Sequence, residues 1–418
     1  MTDTATNPSS APAPTVDAGK TAIASEARAQ VSRICWLHFA NDLTLDFLTP
    51  LLVVTVSAAW IGAMEGAADG VGQVLKLFTG RASDRTGKRA AWVRAGYTVN
   101  AIARPLAGIG MLLGLPAWVI ACRIGDRVGK GVRGSATDAL LTDWSEPENR
   151  AHDFARTRVM DHLGATLGAL AAAAAAFVLS PDQIWKAIVA LVLVTVMVVQ
   201  LTRRLRDRVD VDPAAQVETK TVPTAWWPRD PALRLPLSAI GIATFATKIS
   251  PLMILVFIAG AVGDPGHAAW PLWMTCLGWA GLGLVQMAAA SFAGVVADRL
   301  GPAAMLRLGW VLGAAIFVGL ALAHGPWLIA WGVAFGVCVG LTEGAEKTWV
   351  AALAPKPERA LAFGALAIVS ALTALAGNAA CGLLLAHWGA QIFLGFAVIA
   401  VIGAAATLRP GPARPAAT

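Results

Sequence analysis

Gly80-Arg81-Ala82-Ser83-Asp84-Arg85-Thr86-Gly87-Lys88-Arg89 is a compact charged string between two apolar stretches, near 60–79 and 91–112. Each stretch has about the 20 residues that a helix needs to cross a hydrocarbon core of roughly 30 Å. A short, highly charged link between two such segments predicts a hairpin of membrane helices with its turn in water. Working outward in both directions, the pattern recurs. Apolar segments lie near 33–56, 60–79, 91–112, 115–135, 158–179, 184–203, 235–261, 270–296, 304–323, 327–349, 361–386 and 389–408, twelve in all.

The composition fits an all-α integral membrane protein. Of 418 residues, 56% are hydrophobic and only 14% charged, and the mean hydropathy is +0.62. A soluble domain carries about 25% charged residues, so a water-soluble α-helical enzyme is excluded. Tryptophans near segment ends (Trp60, Trp92, Trp118, Trp185, Trp270, Trp327, Trp388) suit the membrane interface. Gly, Ala and Ser within the segments let helices approach closely.

A net charge of +7 raises the question of nucleic acid, and position answers it. Cations cluster at Arg81 to Arg94, Arg203 to Arg208, Arg229 to Arg234 and Lys356 to Arg359. The alternate loops, around Ser57 to Trp60, Gly114 to Ala117, Gly263 to His267 and Ala323 to Pro326, carry almost none, with Lys186 the main exception. This is positive-inside asymmetry. It predicts a multi-pass protein of the inner (plasma) membrane with both termini cytoplasmic, and no nucleic-acid partner.

Residues 1–31 are rich in Ala, Pro, Ser and Thr without a hydrophobic run, which predicts a disordered cytoplasmic tail and no cleavable signal peptide. The longest polar interior stretch predicts a cytoplasmic interdomain loop over 205–234, between bundles at 32–204 and 235–408, with a tail at 409–418. Cys35, Cys122, Cys276, Cys338 and Cys381 stand singly, so neither a disulfide framework nor a zinc site is indicated. No metal site and no cofactor are expected.

Both halves carry a related string. Gly294-Val295-Val296-Ala297-Asp298-Arg299-Leu300-Gly301 follows the second segment of the second half, as Gly80 to Arg89 follows the second of the first. That implies a duplicated six-helix unit. In its placement, Gly80, Asp84, Arg85, Gly87 and Arg89 fit the G-x-x-x-D-R-x-G-x-[KR] loop of the major facilitator superfamily, which the chain resembles over its full length. The second copy keeps Gly294, Asp298, Arg299 and Gly301, with Pro302-Ala303 in place of the basic pair. Arg123, Gly129 and Gly131 resemble the helix-four R-x-x-x-x-x-G-x-G motif. Three further strings are similar to prokaryotic general permeases and drug-efflux-like proteins: Arg127 to Arg133 with Asp138, Thr342 to Lys347, and Glu65-Gly66. Gly164 and Gly168 fit the antiporter G-x-x-x-G-P signature except that Ala169 replaces the proline, which argues against drug–proton antiport.

The resemblance implies twelve transmembrane helices in two pseudo-symmetric six-helix bundles and a monomeric secondary active transporter in the lipid bilayer. Its partners would be a small-molecule substrate and protons as coupling ion. Export of a small organic solute is favoured; the alternative is proton-coupled import of an anionic or zwitterionic metabolite. It also implies a conformational latch at Gly80, Asp84, Arg85, Gly87 and Arg89, with Asp298 and Arg299 in the second copy, tying the bundles in the outward-facing state.

Charges inside the segments are the other site candidates, because each costs at least about 2.5–3.5 kcal/mol at mid-bilayer. Asp46 and Lys248 lie roughly 20 Å into their segments at 1.5 Å per residue. His38, Asp42 and Asp46 recur every four residues and share a face; they fit either a proton or substrate path or a polar seam against segment four or seven. Glu65 and Asp69 form a stripe with Lys76. Segment four offers Arg123, Asp126 and Arg127, readable as an internal ion pair or as a coupling site. In segment ten Glu343 is spaced to pair with Lys347, leaving Glu346 free; Lys248, beside Pro251, fits an anion contact or a bridge to Asp46 or Glu343.

No ATP-binding G-x-x-x-x-G-K-[ST] string is present, so an ion or solute gradient would supply the energy. No G-x-S-x-G or H-E-x-x-H occurs, and the chain is not read as an enzyme. A polytopic membrane enzyme and a membrane scaffold are the remote alternatives.

Overall fold

The computed structural model describes residues 16–146, 148–180, 183–208, 231–261, 270–342, 345–354 and 359–407. In the first half, α1 (Val16–Leu48) runs into a 3-10 turn at Thr49–Val54, followed by α2 (Ala58–Thr86), α3 (Arg89–Leu112), α4 (Pro116–Trp144), α5 (Arg150–Val178) and α6 (Ile184–Arg203). The second half comprises α7 (Pro231–Thr247), α8 (Pro251–Ala261), α9 (Leu272–Leu300), α10 (Pro302–Leu322), α11 (Trp327–Thr342), α12 (Ala345–Leu353), α13 (Arg359–Trp388) and α14 (Ile392–Ala406). Segment seven is α7 with α8 and segment ten is α11 with α12, so these helices make up the twelve expected rods.

The duplication is visible in what packs on what. Segment one lies on five and six, two on four, and three on four and six. Adding six to each number reproduces the second half: seven on eleven and twelve, eight on ten, nine on ten and twelve. The most extensive contacts between the halves, α2 on α13 and α5 on α9, exchange under the same operation.

The first rod of each half breaks at a hydroxyl-Pro-Leu triplet. In segment one, α1 gives way to the 3-10 turn at Thr49-Pro50-Leu51; in segment seven, α7 ends at Thr247 and α8 begins at Pro251, next to Ser250 and Leu252. Proline removes a donor and its ring crowds the preceding turn. In segment seven the stranded backbone is satisfied by Asn378 of α13, whose Nδ2 donates to the Lys248 carbonyl at 2.9 Å and whose Oδ1 accepts from Ser250 N at 2.6 Å.

Several boundaries differ from the sequence reading. The charged string expected as a loop is helical through Thr86: α2 runs 29 residues, about 44 Å, and stops at Gly87, whose φ of 64° is one that side chains resist. Residues 16–31, expected in a disordered tail, belong to α1. Ala27 and Val31 are buried in a core with Trp144 and Leu205, and Gln30 donates to Glu26 at 2.8 Å and to the Arg204 carbonyl at 3.3 Å. The start of the expected interdomain loop also packs on the first half, with Trp144 donating to the Arg206 carbonyl at 2.9 Å and Ala90 N to Asp207 at 2.7 Å. Residues 209–230, and the tails at 1–15 and 408–418, lie outside the described residues.

Seven described stretches are long and apolar enough to cross a membrane on composition alone, the last of them, Leu361–Ala406, spanning segments eleven and twelve together. Segments two, three and four fail that test, and in segment ten the apolar helix Trp327–Thr342 is too short for it. Outward apolar side chains such as Leu193 (68% exposed) and Val398 (59%) have lipid as their natural solvent.

The two ends of the molecule are built differently. At the end bearing Ser57 and Gly114, one apolar core joins the halves, with Leu52, Val56, Ile61 and Met64 packed among Leu252, Ile254, Phe317 and Phe393. At the basic end, bearing Gly87 and Gly301, each half has a separate core, one around Tyr97 and Leu140 and one around Leu237 and Val350. The halves are sealed at one end and parted at the other.

Candidate functional site

Segment four organises the site. Arg123, Asp126, Arg127, Lys130 and Arg133 recur at three- and four-residue spacing and so form one charged stripe. Glycines on other faces let neighbours approach: a Cβ on Gly129 would lie 2.7 Å from the Gly96 carbonyl of α3, and one on Gly131 2.8 Å from the Gly72 carbonyl of α2. With α2 and α3 this near, their polar side chains reach the stripe.

The result is a continuous ionic network. Arg123 grips Glu65 of α2 with two hydrogen bonds, at 2.8 and 3.2 Å. Arg127 lies 3.6 Å from Glu65 and 3.2 Å from Asp69, one turn along the same helix. Asp126 turns to α3, accepting from Arg104 at 2.7 Å and Asn100 at 2.7 Å. The same Arg104 donates to Asn41 O and Thr44 Oγ1 of α1, at 2.6 and 2.5 Å. Further along, Arg133 lies over the Tyr97 ring, 4.2 Å from its centre, and donates to Asn100 at 3.2 Å. Glu65, Arg104, Arg123 and Asp126 are all 5% exposed or less. Ions this buried require close partners, and here they have them.

Two adjoining cavities open beside the network. One, of about 360 Å³, lies among α1, α2, α4 and α5 and reaches the basic end at Lys76, Asp138 and Arg158. The other, of about 320 Å³, lies between the halves and is walled by α1, α4 and α5 on one side and by Pro251, Trp279, Leu282 and Gln286 on the other. Asp42, Arg127, Lys130, His162 and Ala165 line both. Across the second cavity, Trp279 Nε1 donates to Asp46 Oδ1 at 2.9 Å, a hydrogen bond between the halves.

The expected site residues fall into separate groups. Asp42, Asp46, Asp69 and Arg127 line the cavities, whereas Glu65, Arg123 and Asp126 form the buried network behind them. The internal Arg123–Asp126 pair reaches only 4.0 Å; helix packing offers both residues nearer partners. Lys248 bonds Glu346, not Asp46, at 2.5 Å, and is not among the residues lining these two cavities. Glu343 lies outside the described residues, as does the side chain of Asp298.

Around the charged string, Arg89 bonds Asp143 of α4 and lies 3.5 Å from Asp84, itself 67% exposed. Arg85 and Arg299 are exposed, and Gly80 faces Ser135 of α4. Among the described residues, none of these groups touches the opposite half.

Other participants lie outside the sequence reading. Arg104 carried a legible signal, a lone arginine midway along an apolar segment. Lys130 lay in the charged stripe. Asn41, Asn100, Trp279 and Gln286 carried none, being ordinary helix residues until a neighbour is known.

The Major Facilitator Superfamily model matches residues 34–263 and 237–418. The chain belongs to this superfamily. It is accordingly a multi-pass membrane transporter and not an enzyme. This superfamily member is 23% identical over 376 residues, 87% of its length and 90% of the relative's, to an uncharacterized MFS-type transporter of Methanocaldococcus jannaschii. It is 39% identical over 118 residues to an uncharacterized protein of Mycobacterium tuberculosis, a match spanning 27% of this chain and 28% of the mycobacterial one. Among solved structures, the nucleoside transporter NupG superposes with a TM-score of 0.69 at 16% identity, over 91% of this chain and 98% of that one. A D-xylose–proton symporter gives 0.64 at 14%, over 92% and 98%. A bacterial homolog of the human lysosomal transporter Spinster, inward-facing and occupied, gives 0.67 at 13%, over 90% and 95%. At these identities the likeness is one of fold.

Proposed function

We propose that this chain is a monomeric secondary active transporter that moves a small organic solute across the inner (plasma) membrane by alternating access, coupled to protons. The observation that carries the reading is the contrast between the two ends: one shared apolar core where the halves are sealed, separate cores where charged cavities open. If the basic end is cytoplasmic, as its arginines and lysines favour, the conformation is inward-open. The latch at Asp84, Arg85 and Arg89 would then engage the second half in the opposite conformation, together with Asp298 and Arg299.

Asp46 is the best-placed coupling acid. Glu65, Asp69 and Asp126 are held by arginines, whereas Asp46 has a neutral indole as partner. A hydrogen bond to a carboxylate is roughly twice as strong as one to a neutral acid. Protonating Asp46 therefore weakens a tie between the halves, and a few kcal/mol is enough to move a two-state equilibrium. The charged and titratable groups sharing its cavity are Asp42 on its own helix, Arg127 and Lys130 on α4, and His162 on α5.

Export, with returning protons supplying the drive, is the direction favoured by the resemblance to drug-efflux-like proteins. Import of an anionic or zwitterionic metabolite is the second reading, favoured by Lys130 on the cavity wall. Proteoliposomes with a pH gradient imposed in either sense separate the two. Asp46→Asn is expected to abolish gradient-driven accumulation while sparing solute exchange; accumulation at the wild-type rate would remove Asp46 from the coupling role.

A further inference from the structure

Most charged groups on the cavity walls have an ion-pair or hydrogen-bond partner among the described residues. Asp69 is held by Arg127, Lys76 lies 3.8 Å from Asp138, and Asp161 bonds His38 at 2.7 Å. Arg133 rests on Tyr97, and Asp46 takes the Trp279 indole. Lys130, exposed to the cavity, has no carboxylate within 4.0 Å and no hydrogen bond among the described residues. Asp42, like Asp46, has no cation that near; its one bond is from the side-chain amide of its neighbour Asn41, at 2.6 Å. Lys130 and Asp42 carry opposite charge.

Their placement adds a second, independent observation. Asp42 and Lys130 stand on facing helices, α1 and α4, and both line the junction where the two cavities meet. Lys130 lies about 21 Å from the start of α4, a depth at which an unpaired charge is expensive. Beyond the junction the wall is mixed, with Leu45, Pro251, Leu282 and Trp279 beside Asp46, Thr166 and Gln286. A space between an ammonium and a carboxylate, continuous with a chamber that has an apolar side, is complementary to one class of molecule.

We infer that the transported solute is a small zwitterion: its carboxylate binds Lys130, its ammonium binds Asp42, and its apolar part enters the chamber under Trp279. The assignment rests on the transporter reading above and adds the substrate class and two contact residues. An uncharged solute would leave both ions unmatched, and a simple anion or cation would leave one, at a cost in each case.

The test is thermal stabilisation of the detergent-purified full chain by a panel of zwitterionic amino acids and dipeptides, each accompanied by its des-amino and des-carboxy analogue. At least one zwitterion is expected to raise the melting temperature, with both truncated analogues at least roughly ten-fold weaker, as expected for leaving one buried charge unpaired. Lys130→Met and Asp42→Asn should each abolish the response; Lys130→Arg, which keeps the charge, should retain much of it and shows that the position tolerates change. Silence from the whole zwitterion panel, or equal binding of an analogue lacking either charge, overturns the inference. Proteoliposome flux separates this from the transporter reading. A zwitterion that binds but never crosses sinks that reading alone, whereas flux of an uncharged solute only sinks this one.

Discussion

The two halves share one helix-packing plan but differ in what fills it. In the first half, segments two, three and four are tied by a chain of ions from Glu65 through Arg123, Asp126 and Arg104 to the α1 backbone. In the second half apolar packing is prominent: Phe317 of segment nine stacks on Phe393 of segment twelve at 5.9 Å between ring centres, and the ion pair among the described residues is Lys248–Glu346, between segments seven and ten. Duplicated architecture has thus been divided in labour. The first half carries the charged chemistry of the cavity, and the second faces it with Pro251, Leu282, the Trp279 indole and Gln286.

That comparison can be broken by equivalent substitutions on the two sides. The largest effect is expected for Glu65→Gln, which strands Arg123 in the interior; leaving one buried charge unpaired costs about 3–5 kcal/mol, readable as loss of folded protein in thermal unfolding. Replacing both partners, Glu65→Gln with Arg123→Met, should recover a good part of it, and a double variant no better than the single would mean that the pair is not a unit. Next comes Asn378→Ala, which strips two backbone groups of their partner where segment seven breaks. A loss of about 1–3 kcal/mol is expected, and a stability equal to wild type would show that water replaces the clasp. The smallest effect is expected for Glu346→Gln. Its partner Lys248 is 43% exposed, and an ion pair that open is worth about 0–1 kcal/mol. If Glu346→Gln proved as damaging as Glu65→Gln, the contrast between the halves would be wrong.

Much of the fold was legible, because it is written in one dimension. Segment six was read as 184–203 and is Ile184–Arg203, since nothing but hydropathy decides its ends. Where tertiary contact decides, the reading stopped short. Gly80 to Thr86 and residues 16–31 were read as non-helical on polarity alone, yet the first is extended along α4 and the second docks on Leu205 and Trp144. The site was half legible. Charges inside segments announced themselves by their cost, so Asp46, Glu65 and Arg123 were visible, and Arg104 and Lys130 should have been. Trp279 and Asn378 were not, because their roles exist only against a neighbouring helix.

What the sequence by itself determined was that the chain crosses a membrane repeatedly, that its six-helix unit is duplicated, and that some ions must lie inside. These follow from length, hydropathy and the expense of charge in hydrocarbon, which are properties of each segment alone. Tertiary structure alone decided which ion answers which: that Arg123 takes Glu65 and not Asp126, that Lys248 takes Glu346, and that Asp42 and Lys130 are left facing each other without contact. Periodicity places a side chain on a face of its own helix; the identity of what that face meets depends on how a dozen rods turn and tilt together.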